Sequence, residues 1–185
     1  MGNNLDNQRS EQDLLDRFFE TRLSEDFEHL IRANIGRLQG VIYRIVLNIE
    51  DSEDLVQETF IKAYDKIDTF KGDAKFSTWL CQIGVNLAIS FLRKRKPVQS
   101  INVELEESSF NTPDRIAESN AELDRIHQAI SGLSEKLRSV IILSVIERME
   151  LKEIALVLKC PKATVYWRLH QARKILAKKL EVSYE

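Results

Sequence analysis

The chain is poor in everything that interrupts or cross-links a helix: its 185 residues include three prolines, six glycines and two cysteines. Proline removes a backbone donor and glycine raises the entropic cost of order, so their scarcity leaves room for long, unbroken helices. Two cysteines, Cys81 and Cys160, exclude a disulfide framework and a cysteine metal cluster. Both fall among apolar neighbours, where a small buried hydrophobe is the expected role. The histidines, His29, His127 and His170, are scattered, no glycine-rich phosphate loop occurs, and the carboxylates spread along helix surfaces. The sequence therefore points to no catalytic residues, no metal and no cofactor. No window holds the ~18 uncharged apolar residues of a membrane span. The opening MGNNLDNQRSEQD lacks the apolar core of a secretory signal, and Asp6 stands where an N-myristoylation signal needs Ser or Thr. A cytoplasmic protein without direct membrane insertion is expected.

What is present is charge, unevenly laid out. The formal net charge is −2 and the apolar fraction 43%, enough for real cores but unpromising, on average, for a polyanion partner. The average hides the pattern. Arg93-Lys94-Arg95-Lys96 is an unbroken basic run, and Lys162 to Lys179 carries Lys162, Arg168, Arg173, Lys174, Lys178 and Lys179 with no acid. Between them, from Val98 to Asn120, Glu104, Glu106, Glu107, Asp114 and Glu118 stand against Arg115 alone. Two basic patches around an acidic strap suggest two contacts with a polyanion and an intervening segment with another task.

Periodicity reads as helix nearly throughout. Leu14, Leu15, Phe18 and Phe19 form a short amphipathic stretch after a polar start. Ser24 is placed to cap a helix through Phe27, Leu30, Ile31, Ile35, Leu38, Ile42, Ile45 and Val46. Asn48 to Ser52 reads as a turn, with Asp51 or Ser52 capping a helix from Glu53 to Ile67. Phe70-Lys71-Gly72-Asp73 is a loop, and Ser77 is expected to cap a long helix that Pro97 stops. The strand-period signal is confined to Ser100–Leu105. From Pro97 to about Pro113 the chain is polar and acidic, a linker in character. Helices are then expected from Asp114 to about Ile130 and from Ser134 to about Glu147. The fold class is all-α: two small helical domains joined by an acidic linker, the second containing a helix-turn-helix.

That last motif is MELKEIALVLKCPKATVYWRLHQAR. Ile154, Ala155 and Leu158 share a face of a short helix, Lys159-Cys160-Pro161 break it, and a helix from Thr164 turns Val165 and Leu169 inward. Its outward side chains should include Lys162, Thr164, Tyr166, Trp167, Arg168, Gln171 and Arg173. Arg can bond guanine bidentately, Gln can bond adenine, and Lys or Thr can hold phosphates. Tyr166 and Trp167 either pack on a sugar-phosphate backbone or fold back on the preceding helix. Earlier in the chain, Asp51, Glu53, Asp54, Gln57 and Glu58 stud one helix start with acid and amide groups. This face suits an Arg-rich partner, or simply complements the helix dipole. In FKGDAKFSTWLCQIGVNLAISFLRKRK, Asn86 and Arg93 share a helix face, an arrangement suited to single-stranded nucleic acid. The amide meets a base edge while Arg93 and Lys94 hold the backbone. Phe76 and Trp79 could border an unstacked base, although Trp79 also continues the apolar stripe of Leu80 and Ile83.

Three blocks in this order, DSEDLVQETFIKAYDKI, FKGDAKFSTWLCQIGVNLAISFLRKRK and the stretch Leu133–Leu176, resemble the extracytoplasmic-function (ECF) group of bacterial sigma factors. The resemblance implies an N-terminal extension over 1–23, a sigma2-like domain over 24–97, a linker over 98–113 and a sigma4-like domain over 114–185. It implies that Asp54, Gln57, Glu58 and Ile61 contact core RNA polymerase, that Asn86 holds an extruded −10 base, and that Arg168 and Arg173 lie in the −35 recognition helix. Core RNA polymerase, promoter DNA and a membrane-anchored anti-sigma factor are the partners it implies. Three departures stand out: Ser90 replaces the usual Asp four residues after Asn86, Lys159 and Ala163 replace turn glycines, and Tyr166-Trp167 replaces a small or basic pair. A strained turn and an unusual −35 preference follow. The rival reading is a stand-alone helix-turn-helix regulator acting as a dimer, for which the chain offers no a/d seam.

Overall fold

The computed structural model describes residues 11–95 and 125–181; the expected linker and the Ser100–Leu105 segment lie outside them. The described residues form α1 (Glu11–Thr21), α2 (Ser24–Val46), α3 (Ile49–Lys66), a 3-10 turn (Ile67–Thr69) and α4 (Phe76–Arg95). There follow α5 over 125–131, α6 (Glu135–Ile141) running into a π turn (Ile142–Ile146), α7 (Leu151–Val157) and α8 (Lys162–Glu181). No strand occurs among the described residues.

In the first unit α2 is the central pillar, packed by α1, α3 and α4. Its inward stripe, Leu30, Leu38, Ile42 and Ile45, meets Leu55, Phe60, Leu80 and Val85, all buried. Ile35, expected on that stripe, is exposed. At Gly84 α4 lies close against α2 and α3: a Cβ there would lie 2.9 Å from Leu38 Cδ1, 3.0 Å from Ile42 Cδ1 and 3.2 Å from Thr59 Oγ1. The segment read as an N-terminal extension contains α1, whose Leu14, Leu15 and Phe18 are buried against α2. Asp26, also buried, is held by Arg17 at 2.7 Å and by the Thr21 hydroxyl.

Helix starts differ from the sequence expectation, and at α3 and α4 this is because another group supplies the cap. Ser24 is the first helical residue of α2, after Leu23, and makes no capping bond. Helix α3 begins at Ile49: Asn48 Oδ1 accepts from the Asp51 amide at 2.8 Å, so Asn48, not Asp51 or Ser52, is the cap. At α4, Ser77 is capped by a residue 66 positions away: Glu11 Oε1 accepts from the Ser77 amide at 3.0 Å and Oε2 from its hydroxyl at 3.3 Å. A carboxylate here satisfies an orphan donor and complements the helix dipole.

The second unit encloses Val140, Ile141, Ile142, Leu143, Ile154, Val157, Val165, Leu169 and Ala172. Helix α8 begins two residues before the expected Thr164 and presents Val165, Leu169 and Ala172 inward, with Leu176 half-buried. The turn after α7 is a Schellman-type closure: the Lys159 amide donates to Leu156 O at 3.2 Å and the Cys160 amide to Ala155 O at 3.1 Å. Lys159 occupies the left-handed position with φ of 48°. The strain expected from the missing glycine therefore falls on this residue.

The two units meet along α4, which packs on α7 and α6, while α2 touches α6 and the π turn. Arg37 Nε of α2 pairs with Glu147 Oε2 at 2.5 Å. Arg138 of α6 donates to Ile45 O at 2.9 Å, and also to Ser131 O and Leu133 O. Burial lowers the pKa of its guanidinium from the ordinary value, with Glu135 opposing the shift.

The cysteines part company. Cys81 is buried and its thiol is pushed up to about 12 by burial, with Arg37 pulling down and Glu147 pushing up. Cys160 is only half-buried, at the turn before α8. Alkylation at mildly alkaline pH is expected to modify Cys160 and to spare Cys81 until the chain unfolds, read by peptide mass spectrometry. Early loss of the Cys81 thiol would contradict the packing.

Candidate nucleic-acid interface

Three surfaces carry the residues of interest. On α3, Asp54, Gln57, Glu58 and Ile61 are all exposed along one side. Spacings of three and four place them on one face. Ile61 is 63% exposed and Tyr64, which sequence reasoning missed, is exposed beside it with its ring 5.1 Å from Phe27. Isolated apolar exposure is ordinary, but Ile61 and Tyr64 rimmed by acids and an amide form a mixed apolar-acidic patch fit for a protein partner. Lys62 holds Glu58 at 2.5 Å, an exposed i, i+4 pair that leaves Asp54 and Gln57 available.

On α4 the residues separate by depth. Phe76 is 1% exposed and belongs to the core, in contact with Phe70 and Trp79 at centroid distances of 5.8 and 5.6 Å. It cannot border a base directly; it supports Trp79, which is half-buried and does reach the surface. Arg93 and Lys94 are exposed at the C-terminal end, and neighbouring Arg95 pairs with Asp51 of α3. Asn86 is half-buried and its Nδ2 donates twice, to Gln82 O at 2.5 Å and to Val157 O of α7 at 2.8 Å. One turn earlier, Gln82 Nε2 donates to Leu156 O at 2.5 Å. Gln82 was legible in the sequence as a second amide at i−4 from Asn86, on the same face.

On α8 the outward side chains Lys162, Tyr166, Trp167 and Arg173 are exposed, with Thr164, Arg168 and Gln171 half-buried. Tyr166 is 67% and Trp167 59% exposed. Neither ring folds back on the preceding helix, so the open alternative resolves toward the surface. Arg168 Nη1 lies 3.8 Å from Cys160 Sγ, which turns its guanidinium toward the start of the helix. No acid occurs in the chain between Lys162 and Lys179, so the residues of α8 over this span carry positive charge only. Among the described residues no group of His, Cys, Asp and Glu is arranged to hold a metal ion. Nor is any described helix long and apolar enough to cross a membrane.

Known proteins match both halves. Residues 30–98 match the family model for sigma-70 region 2, and residues 123–176 that for sigma-70 region 4. The ECF RNA polymerase sigma factor SigW of Bacillus subtilis is 36% identical, over 83% of this chain and 88% of that protein. The RNA polymerase sigma-H factor of Pseudomonas aeruginosa is 33% identical, over 84% of this chain and 86% of that one. Among solved structures, CnrH in complex with the cytosolic domain of CnrY superposes with a TM-score of 0.68 at 24% identity, covering 93% of this chain and 97% of that one. The sigma factor RpoE of Bartonella quintana, in complex with the anti-sigma factor NepR, gives 0.65 at 24% identity over 85% and 98%.

Proposed function

The chain belongs to the ECF group of the sigma-70 family, and on that premise we infer how its three surfaces divide the work of promoter-directed transcription initiation. The α3 face, with Asp54, Gln57, Glu58 and Ile61, docks on core RNA polymerase through charge-assisted bonds around an apolar centre. The α4 face reads the non-template −10 strand: Asn86 takes an extruded base, Trp79 borders it, and Arg93 and Lys94 hold the backbone. Helix α8 enters the −35 major groove, where Arg168, Gln171 and Arg173 reach base edges while Lys162 and Thr164 hold phosphates. Tyr166 and Trp167 present apolar edges suited to a thymine methyl or a sugar, which supports an unusual −35 preference. The chain acts as a specificity subunit in the cytoplasm and performs no catalytic step of its own.

The observation that carries this reading is the coexistence, within one chain, of an exposed acidic-apolar face and two separate basic faces. A stand-alone regulator has no use for the first. The domain division follows the matched regions, with α1 included in the first unit because its apolar side is buried there. An anti-sigma factor, which we propose to be membrane-anchored, would cover the α3 and DNA-reading faces; the RpoE–NepR complex supports an anti-sigma partner.

In-vitro transcription with purified bacterial core RNA polymerase and fragmented genomic DNA tests the reading. With the protein present, new start sites sharing −35 and −10 elements are expected. Absence of new starts, together with tight sequence-specific binding of duplex DNA by the protein alone, would replace it with the stand-alone regulator.

A further inference from the structure

The start of α4 takes its cap from α1. The first turn of a helix leaves backbone N–H groups without intrahelical acceptors, and its dipole favours a negative charge there. Helix α4 has no acid in its own first turn. Glu11, the first residue of α1, brings one: its carboxylate accepts from the Ser77 amide at 3.0 Å and from the Ser77 hydroxyl at 3.3 Å. The same N-terminal segment holds the other end of the connection between α3 and α4. Arg22, just past α1, donates to Asp68 in the 3-10 turn at 2.6 Å, while its guanidinium lies 5.0 Å from the Phe19 ring centroid. The stretch from Asp68 to Ser77 is thus pinned at both ends. Helix α1 is itself anchored on α2 by buried Leu14, Leu15 and Phe18 and by the Arg17–Asp26 ion pair. Within the pinned stretch Gly72 turns the chain at a φ of 76°, and Phe70 packs on Trp79 with ring centroids 5.4 Å apart. Trp79 stands two residues beyond the capped serine, in the same turn of helix. Where that turn goes, Trp79 goes.

We propose that Glu11 is a positioning residue for −10 recognition: by capping α4 from α1, it fixes the turn that aims Trp79 at the extruded base. The proposal rests on the assignment of α4 to the −10 element. Its new content is a role for α1, which precedes the stretch matched to sigma-70 region 2, residues 30–98. Of the two pins, Glu11 carries the greater weight. Its bonds are part-buried and charge-assisted, whereas the Arg22–Asp68 pair, with side chains 51% and 75% exposed, is screened by solvent. Without its cap the first turn of α4 frays, and base capture falls with the fraction of molecules in which that turn is formed. The docking residues Asp54, Gln57, Glu58 and Ile61 lie on α3 and make none of these contacts. Loss of the Glu11 cap therefore acts on opening and spares docking.

The test compares Glu11→Ala with Glu11→Gln in the full chain. Alanine removes both bonds; glutamine keeps an acceptor of the same reach and gives up the charge. Permanganate reactivity of −10 thymines reports promoter opening, and anisotropy with labelled core polymerase reports docking. Glu11→Ala should lower opening about five- to tenfold, the scale of one lost helix cap, with docking within about twofold of the parent. Glu11→Gln should recover at least about half of the lost opening, since the bonds to Ser77 remain. In a Trp167→Phe background Trp79 is the remaining tryptophan, and Glu11→Ala should make its fluorescence more accessible to acrylamide. Unchanged quenching would show that the cap does not hold the turn, whatever α4 reads. Glutamine as impaired as alanine would overturn the hydrogen-bonded cap. Equal losses of opening and docking would make Glu11 a residue of general stability and overturn the positioning role. Freed Trp79 with normal opening would also overturn it, and Asn86→Ala run alongside separates the two failures. If Asn86→Ala impairs opening, Glu11 alone has failed; if it too opens normally, the assignment of α4 falls and the proposal with it.

Discussion

Asn86→Ala is expected to leave core-polymerase binding unchanged and to lower open-complex formation by about 10- to 100-fold, the scale of losing a hydrogen-bonded base contact worth roughly 1–3 kcal/mol. Extruding a base costs a few kcal/mol of lost stacking, which contacts in the receiving site must offset. Asn86 lies on α4 and the docking residues Asp54, Gln57, Glu58 and Ile61 on α3, so its truncation removes none of them. Its side chain is half-buried and its amide bonds go to backbone carbonyls, so removal leaves acceptors that water can reach. Permanganate reactivity of −10 thymines would report opening, and fluorescence anisotropy with labelled polymerase would report docking. Equal losses in both would refute the division of labour between α3 and α4.

Gly84→Val should have the largest effect on stability. The added Cβ would press on Leu38, Ile42 and Thr59, all buried and unable to swing into solvent. Overpacking of this kind costs typically about 1–3 kcal/mol, and a β-branched side chain at this close helix contact belongs at about 3 kcal/mol. The melting temperature should fall by about 4–8 °C for each kcal/mol lost in a unit of this size. Gly84→Ala gains up to about 1 kcal/mol of helix propensity against the same clash and should be much milder. A Val variant as stable as the parent would mean that α4 is not seated against α2 and α3 as described. Because α4 carries the −10 reader, a shift at Gly84 should also reduce transcription in proportion to the misplacement.

The helices themselves were legible because apolar spacing survives in sequence: Leu30, Leu38, Ile42 and Ile45 declare the inner side of α2, and Val165 and Leu169 that of α8. Their starts were not, because caps depend on which acceptor arrives first. Local Ser and Asp residues look equivalent in sequence, while the acceptor at α4 comes from Glu11, on another helix. The charged faces on α3 and α8 were visible as clustered charge, with Ile61, Tyr166 and Trp167 standing among it. Phe76 was misread because an aromatic beside a loop can border a ligand or close a core, and only its neighbours Phe70 and Trp79 decide. The engagement of Asn86 by α7 was invisible, since nothing local in either segment encodes a contact across 71 positions.

That separation has a consequence for the order of events when the chain is made. Contacts within the first unit, the Glu11 cap across 66 positions included, need no residue beyond α4, so this unit can assemble before the second is made. The bonds across the junction span 71 to 110 residues and cannot form until α6 and α7 have left the ribosome. At elongation rates of about 5–20 residues per second, α4 is out for several seconds before α7 exists. During that interval every newborn molecule carries an α4 face that α7 does not yet contact, beside a complete α3 face. The junction between the two units is thus the last part of the described fold that can form.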